Sequence, residues 1–97
     1  MFIIDLEYQR PMEAVEQWLE EHKAFLKQQY ANGVFLMSGR KQPRTGGVIL
    51  AQADTRAHLE ALIQQDPFYR EGVARFTITE FLPTMTADAL SSFAVQS

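Results

Sequence analysis

The sequence predicts an α+β domain of the ferredoxin-like class, in which an antiparallel sheet carries two helices on one face. Four short segments rich in apolar residues are predicted strands, the first with apolar residues at every second position, and two longer segments show apolar residues at 3- and 4-residue spacings. Their order, β-α-β-β-α-β, is that of a split βαβ unit. A chain of 97 residues has room for one such core.

The chain opens with a strand and continues into a long helix. The strand alternates with one apolar face, formed by Phe2, Ile4, Leu6 and Tyr8. The predicted helix begins at Pro11, which suits a first turn, and ends at Ala31 because Asn32-Gly33 follows. Its apolar stripe consists of Val15, Trp18, Leu19, Phe25 and Leu26.

His22 lies on the apolar stripe of this helix, four residues after Trp18 and three before Phe25. We therefore expect its side chain to face the sheet. A buried imidazole needs hydrogen-bond partners, and histidine is the side chain best suited to proton transfer near neutral pH. His22 is the first candidate functional residue.

The second half of the chain repeats the pattern. Strands are predicted at 34–38 and 48–53, with a glycine-rich loop from Gly39 to Gly47 between them. A second helix is predicted from Arg56 to Gln65, after a capping Asp54-Thr55 and before Asp66-Pro67. A connector, 68–72, then leads to a last strand at 74–82.

The sheet face that no helix covers predicts self-association. Ile3 would lie there, with either Val34 and Leu36 or Phe35 and Met37. Exposed apolar area of this kind is typical of an interface, so we expect a homodimer or a higher homo-oligomer. Residues 84–97 form a predicted tail beyond the domain at 1–83. The tail is expected to be either a short docking helix or a frayed end.

Composition excludes several classes of function. A net charge of −3 argues against nucleic-acid binding. The absence of cysteine removes disulfides, thiol nucleophiles and thiolate metal sites, and two histidines give no recognisable metal-ligand spacing. No apolar stretch is long enough for a membrane span, and the first residues are unlike a signal peptide. We expect a cytoplasmic protein with no metal or cofactor.

Several short motifs occur in a characteristic order. They are His22, Phe35-Leu36-Met37-Ser38-Gly39, Gly46-Gly47-Val48-Ile49-Leu50, Asp66-Pro67-Phe68, Gly72 and Glu80-Phe81. Together they resemble the YCII-related (YciI-like) family over residues 1–83. The resemblance implies a ferredoxin-like fold that pairs into a dimeric α+β barrel, with an active site formed by His22 and Asp66. Related proteins eliminate hydrogen chloride from a lactone, and muconolactone isomerase shares the barrel.

The resemblance makes His22 and Asp66 the candidate catalytic residues. Asp66 would accept a hydrogen bond from one ring nitrogen and leave the other as a general base. In the structural alternative, His22 is a satisfied interface histidine and Asp66 only caps the turn before Pro67. Ser38, Gly39 and Arg40 are the candidate substrate-binding residues, although Ser38 is more simply explained as an ordinary strand-end serine. The family often has proline where this chain has Arg40.

Further charged and aromatic residues are candidates for the rim of the site. Arg40, Lys41 and Arg44 would draw a carboxylate-bearing substrate, or would simply be a solvated loop at a sheet edge. Tyr69 and Arg70 follow Asp66-Pro67 closely enough to border the same pocket.

Two functions remain open at this point. The first is a small lyase or isomerase that binds a small-molecule ligand, a carboxylic acid or lactone, and performs elimination or isomerisation by general acid–base chemistry. The alternative is a non-catalytic module for small-ligand binding or oligomeric assembly, in which the contact of His22 with Asp66 only links the first helix to the turn before Pro67. Cofactor-free oxygenation, known in other dimeric α+β barrels, has no residue here that argues for it.

Overall fold

The computed structural model describes residues 1–95 and contains a four-stranded antiparallel sheet in the order β2-β3-β1-β4. The strands are β1 (Phe2–Tyr8), β2 (Phe35–Arg40), β3 (Gly46–Ala51) and β4 (Ala74–Glu80). The helices are α1 (Met12–Ala31), α2 (Arg56–Ile63) and α3 (Pro67–Arg70), and a 3-10 helix follows at Asp88–Phe93. This is the predicted ferredoxin-like α+β arrangement.

One face of the sheet forms the hydrophobic core with the helices. Its buried side chains come from all four strands and all three helices. Central members are Phe2, Ile4 and Leu6 of β1, Ile49 and Ala51 of β3, Val15 and Phe25 of α1, and Leu59 and Ile63 of α2. The alternation in β1 and the stripe in α1 are therefore where the sequence predicted them.

The glycine-rich loop is shorter than predicted. Gly39 pairs with Val48, and Arg40 pairs with Gly47, so β2 and β3 extend into the segment expected to be a loop. Only residues 41–45 connect the two strands. Glycine weakens strand propensity, so the sequence pattern did not indicate that these residues complete the ladder. As a result, Gly39 and Arg40 lie on β2 together with Ser38 and not in a loop.

A β-bulge in β2 reverses which side chains face the core. Phe35 pairs with Ala51 and is 2% exposed, whereas Met37 pairs with Leu50 and is 62% exposed. The register shifts between Phe35 and Met37, since a bulge adds one residue to one strand. Both predicted sets for the uncovered face are therefore wrong: Met37 lies there without Phe35, and Val34 packs against the core.

The segment after α2 also differs from the prediction. α2 ends at Ile63, and the expected connector begins with the single turn of α3. The tail forms a 3-10 helix with no buried residue, while Gln96 and Ser97 lie outside the described residues. Within residues 1–95, no helix is long and apolar enough to cross a membrane.

Candidate active site

His22 and Asp66 meet between α1 and the start of α3. Nδ1 of His22 lies 2.8 Å from Oδ1 and 2.9 Å from Oδ2 of Asp66. Because an ionised carboxylate only accepts, Nδ1–H is the donor. Asp66 is 0% exposed and His22 is 8% exposed, so water competes little for this hydrogen bond. The structure thus brings together the two residues that the sequence singled out.

Asp66 is held in place by the backbone of α3. It is the N-cap of that helix, and its Oδ1 accepts a hydrogen bond of 2.9 Å from the backbone N–H of Phe68. Pro67 suits the first position of the helix, where no N–H is needed. The Asp-Pro-Phe motif therefore holds the carboxylate through a local hydrogen bond that does not depend on His22.

Phe68 orients the imidazole of His22. The two rings are stacked, with centroids 3.9 Å apart and planes 4° from parallel. One edge of the imidazole is fixed by Asp66 and one face is covered by Phe68, so the ring has little freedom to rotate. Nε2 makes no hydrogen bond to the described part of the chain.

His22 and Phe68 line a cavity of about 280 Å³ between α1 and the sheet. Apolar side chains from both layers form much of its wall. These are Leu6, Leu19, Leu26 and Ile49. The volume suits a small organic molecule, and the few polar groups in the wall include the candidate base.

The three predicted substrate-binding residues all border this cavity. Ser38 pairs with Ile49, and Arg40 pairs with Gly47, so the register places both on the helix-covered face of the sheet. Gly39 has no side chain and contributes backbone. The bulge in β2 is what turns Ser38 and Arg40 toward the histidine.

Tyr30 was missed by the sequence analysis. Its hydroxyl hydrogen bonds to the hydroxyl of Ser38, which links the last turns of α1 to β2. Nothing in the spacing of the two residues indicated the contact, because it depends on how the helix crosses the sheet.

The three basic residues Arg40, Lys41 and Arg44 do not all face the same side of the sheet. Arg40 and Arg44 line the cavity, together with Lys23 of α1. Lys41 points elsewhere, since its Nζ lies 3.0 Å from Oδ1 of Asp5. Asp5 alternates with the buried residues of β1 and therefore lies on the uncovered sheet face.

Tyr69 and Arg70 do not border the cavity, contrary to the prediction. Tyr69 packs edge-on against Phe76. Arg70 donates to Glu21 at 2.7 Å, and its hydrogen bonds to Glu21 and Glu71 raise the pKa of the guanidinium. The turn of α3 explains both departures, because it directs these side chains away from His22.

No group of three or more potential metal-ligating side chains occurs within residues 1–95. The side chains in the cavity wall supply an imidazole bound to a carboxylate, the hydroxyl of Ser38 and three cationic groups.

Comparisons with known proteins agree with this architecture. The sequence model of the YCII-related domain matches residues 1–82. No curated protein sequence matches the chain. Among solved structures, the chain is similar to 5-chloro-2-hydroxyhydroquinone dehydrochlorinase (TftG) from Burkholderia phenoliruptrix AC1100, in complex with 2,5-dihydroxybenzoquinone. The TM-score is 0.69 at 16% identity, over 84% of this chain and 93% of that one. At that identity the likeness shows the fold. The family match covers most of the chain, which therefore belongs to the YCII-related domain family.

Proposed function

We propose that this protein is a small lyase or isomerase in which His22 acts as general base and Asp66 orients it. The substrate is a small carboxylic acid or lactone bound in the cavity between α1 and the sheet. The observation that carries the proposal is the Nδ1–Asp66 hydrogen bond of 2.8 Å at the cavity wall. It occupies one ring nitrogen and leaves Nε2 for a ligand.

Asp66 prepares His22 for proton transfer. Its hydrogen bond fixes the tautomer that carries a proton on Nδ1, so the lone pair is on Nε2. The carboxylate also stabilises the imidazolium that forms when Nε2 takes a proton. A positioned base of this kind contributes roughly 10²–10⁴-fold to a proton-transfer step.

The proposed reaction begins at a carbon next to a carbonyl group. Nε2 takes the proton, and the C–H electron pair moves toward the carbonyl to give an enolate. In elimination, that pair forms a C=C bond and the leaving group departs with its own bonding electrons. In isomerisation, the imidazolium returns the proton to a different carbon. Neither route needs an oxidant or a cofactor.

Ser38 is the proposed partner of the carbonyl oxygen. Its hydroxyl borders the cavity and is hydrogen-bonded to Tyr30. When the Tyr30 hydroxyl donates to Ser38, the Ser38 hydroxyl is free to donate to the substrate. A donor at this oxygen stabilises the charge that develops there in the transition state.

The structural neighbour supplies compounds for the test. TftG is a dehydrochlorinase, and its structure holds 2,5-dihydroxybenzoquinone. We would assay 5-chloro-2-hydroxyhydroquinone and a panel of chlorinated and unsaturated lactones, measuring chloride release and ultraviolet absorbance. We expect turnover of at least one compound, and a loss of roughly 10²–10⁴-fold in kcat for His22→Ala.

His58→Ala is the matched control, because His58 is an exposed histidine of α2. It should retain wild-type turnover. A His22→Ala protein that is folded and turns over the same compound at the wild-type rate would refute the proposed base.

A binding or assembly module is the second candidate. It is favoured by the complete burial of Asp66 and by its role as the N-cap of α3, which give the pair a structural purpose. Under this function, 2,5-dihydroxybenzoquinone or a related ligand would bind to the cavity without being changed. Binding by calorimetry with no product from any compound in the panel would favour the module.

We also propose that a second copy of this chain covers the uncovered sheet face, as in a dimeric α+β barrel. On this face Ile3 is 38%, Val48 40% and Met37 62% exposed. Exposed apolar groups on one face are typical of an interface.

For the same protein we propose a cytoplasmic location, since the chain contains no cysteine.

Light scattering after gel filtration tests the dimer. We expect twice the chain mass for the wild type. Met37→Lys should shift the protein to monomer, because the dimer interface would then have to bury the charge of the lysine. Ala61→Lys, at an exposed position of α2, should remain dimeric. A monomeric wild type at high micromolar concentration would contradict the proposal.

A further inference from the structure

We propose that Arg44 binds an anionic group of the substrate, so that the cavity selects carboxylates over neutral lactones and amides. This inference rests on the proposed function, since it specifies the ligand of the same cavity. It concerns a residue that the proton-transfer chemistry does not use.

The short loop between β2 and β3 places Arg44 at the cavity. The backbone N–H of Tyr8 donates to the carbonyl of Thr45 at 3.0 Å, which fixes the end of the loop to β1. The N–H of Thr45 donates to the carbonyl of Pro43 at 2.8 Å, which closes a tight turn around Arg44. The guanidinium is therefore carried by a backbone with hydrogen bonds on both sides.

The Nε of Arg44 is buried and has no hydrogen-bond partner within the described residues. A buried donor without an acceptor is costly, and more so when it is charged. Most such groups in folded proteins are satisfied, so the Nε of Arg44 is unusual in having no acceptor within the described residues. Because Arg44 lines the cavity, its guanidinium is available to a ligand that enters there.

The charges in the cavity wall agree with an anionic ligand. Lys23, Arg40 and Arg44 all line it, and no aspartate or glutamate does so among the described residues. The whole chain has a net charge of −3, so this concentration of positive charge is local. Lys23 approaches Glu20 only at 3.7 Å, between exposed side chains, which leaves its charge largely uncompensated.

A guanidinium offers more than charge. Its N–H groups form a planar fork that matches the two oxygens of a carboxylate. With a carboxylate held at Arg44, the rest of a small substrate extends along the apolar wall toward His22, which lines the same cavity. Arg44 would thus determine which end of the substrate reaches the base.

Benzoate and benzamide are suitable probes, because they share size and shape and differ in charge. We would titrate each into ¹⁵N-labelled protein and follow backbone amide shifts around the cavity. We expect benzoate to shift the amides of residues 44–47 and 22–23, and benzamide to bind at least tenfold more weakly. Arg44→Gln should weaken benzoate binding roughly tenfold or more, the effect of losing a charged hydrogen bond.

Two further variants make the result specific. Arg44→Lys keeps the charge without the fork, and we expect its affinity for benzoate to lie between those of wild type and Arg44→Gln. Arg56→Gln removes the same charge from α2, where Arg56 pairs with Glu60 at 2.8 Å, and should leave benzoate binding unchanged. The amide spectrum of each variant also reports whether it is folded.

Failure of this inference differs from failure of the proposed function. Equal binding of benzoate and benzamide, equal binding of benzoate by wild type and Arg44→Gln, or no benzoate binding at all would overturn the anion site. The loss of turnover in His22→Ala would be untouched by any of these results. Conversely, Arg44-dependent binding of benzoate without turnover of any compound would support the anion site and refute the proposed enzymatic function.

Discussion

At the scale of single residues, the Asp66 carboxylate connects α1 to the start of α3. It accepts from His22 of α1 and from the backbone N–H of Phe68 in α3, while the residue itself is 0% exposed. A buried carboxylate is tolerated when such donors replace water. The catalytic and structural readings of this residue are therefore compatible, since one oxygen caps the helix while the group also orients the imidazole.

Asp66→Asn is expected to lower the free energy of unfolding by about 1–3 kcal/mol, the usual cost of leaving buried donors unsatisfied. An amide has one acceptor oxygen for the two N–H donors, and its own NH₂ group would face one of them. Urea unfolding followed by circular dichroism measures the change. Asp54→Asn, at an exposed position, should change the free energy by less than about 0.5 kcal/mol. If both variants were equally stable, the two hydrogen bonds would contribute little.

The contact of His22 with Asp66 and the presence of Ser38, Gly39 and Arg40 at the cavity were expected, whereas other parts of the surroundings were not. Helical periodicity places His22 on the buried side of α1, whereas its pairing with Asp66 was expected only from the family resemblance, since Asp66-Pro67 was interpreted as the end of a helix. Lys23 follows His22 and reads as a solvent-facing residue, yet it borders the cavity. The contact of Tyr30 with Ser38 depends on the crossing of α1 over β2, which the pattern of either element leaves undetermined.

At the scale of elements, the close pairing of β1 and β3 depends on Gly46. It pairs with Glu7, and a Cβ atom added to it would lie 1.8 Å from the carbonyl oxygen of Leu6. That oxygen belongs to the backbone of the central strand, so it has little freedom to move. At Gly39, which also borders the cavity, an added Cβ would meet nothing within 4 Å.

Gly46→Ala should therefore lower the free energy of unfolding by about 1–3 kcal/mol or more, as overpacking does in a rigid core. Gly39→Ala should be neutral or slightly stabilising, by up to about 1 kcal/mol, since alanine restricts the unfolded chain more than glycine does. Thermal and urea unfolding of the two variants give the comparison. A Gly46→Ala protein as stable as Gly39→Ala would show that β3 can shift away from β1 freely.

The bulge in β2 marks the limit of prediction for whole elements. Strand patterns assume strict alternation, so the sequence offered two face assignments for residues 34–37, each wrong once the register shifts. The assignments for β1 and α1 were right because their patterns are long and uninterrupted. The two strands with glycines at their paired ends were predicted too short at those ends, since glycine carries no face preference.

At the scale of the whole molecule, the sheet and its helices form one unit, and the chain beyond β4 adds little to it. No residue of the 3-10 helix is buried, and Met85 is 89% exposed. Just after β4, the backbone N–H of Phe81 donates to the carbonyl of Met1 at 2.9 Å. We therefore propose that residues 1–83 are the folding domain.

A chain that ends at Pro83 is expected to fold with a free energy of unfolding within about 1 kcal/mol of the full chain, because no described residue of the removed segment is buried and exposed groups contribute little to stability. A chain that ends at Thr77 should fail to fold, since it lacks Ile78, which packs against the core, and three of the seven residue pairs between β1 and β4. Urea unfolding at two protein concentrations measures both effects. A loss above about 2 kcal/mol for the longer chain would instead show that the tail packs on the domain or on a second copy, because docked apolar side chains contribute on that order.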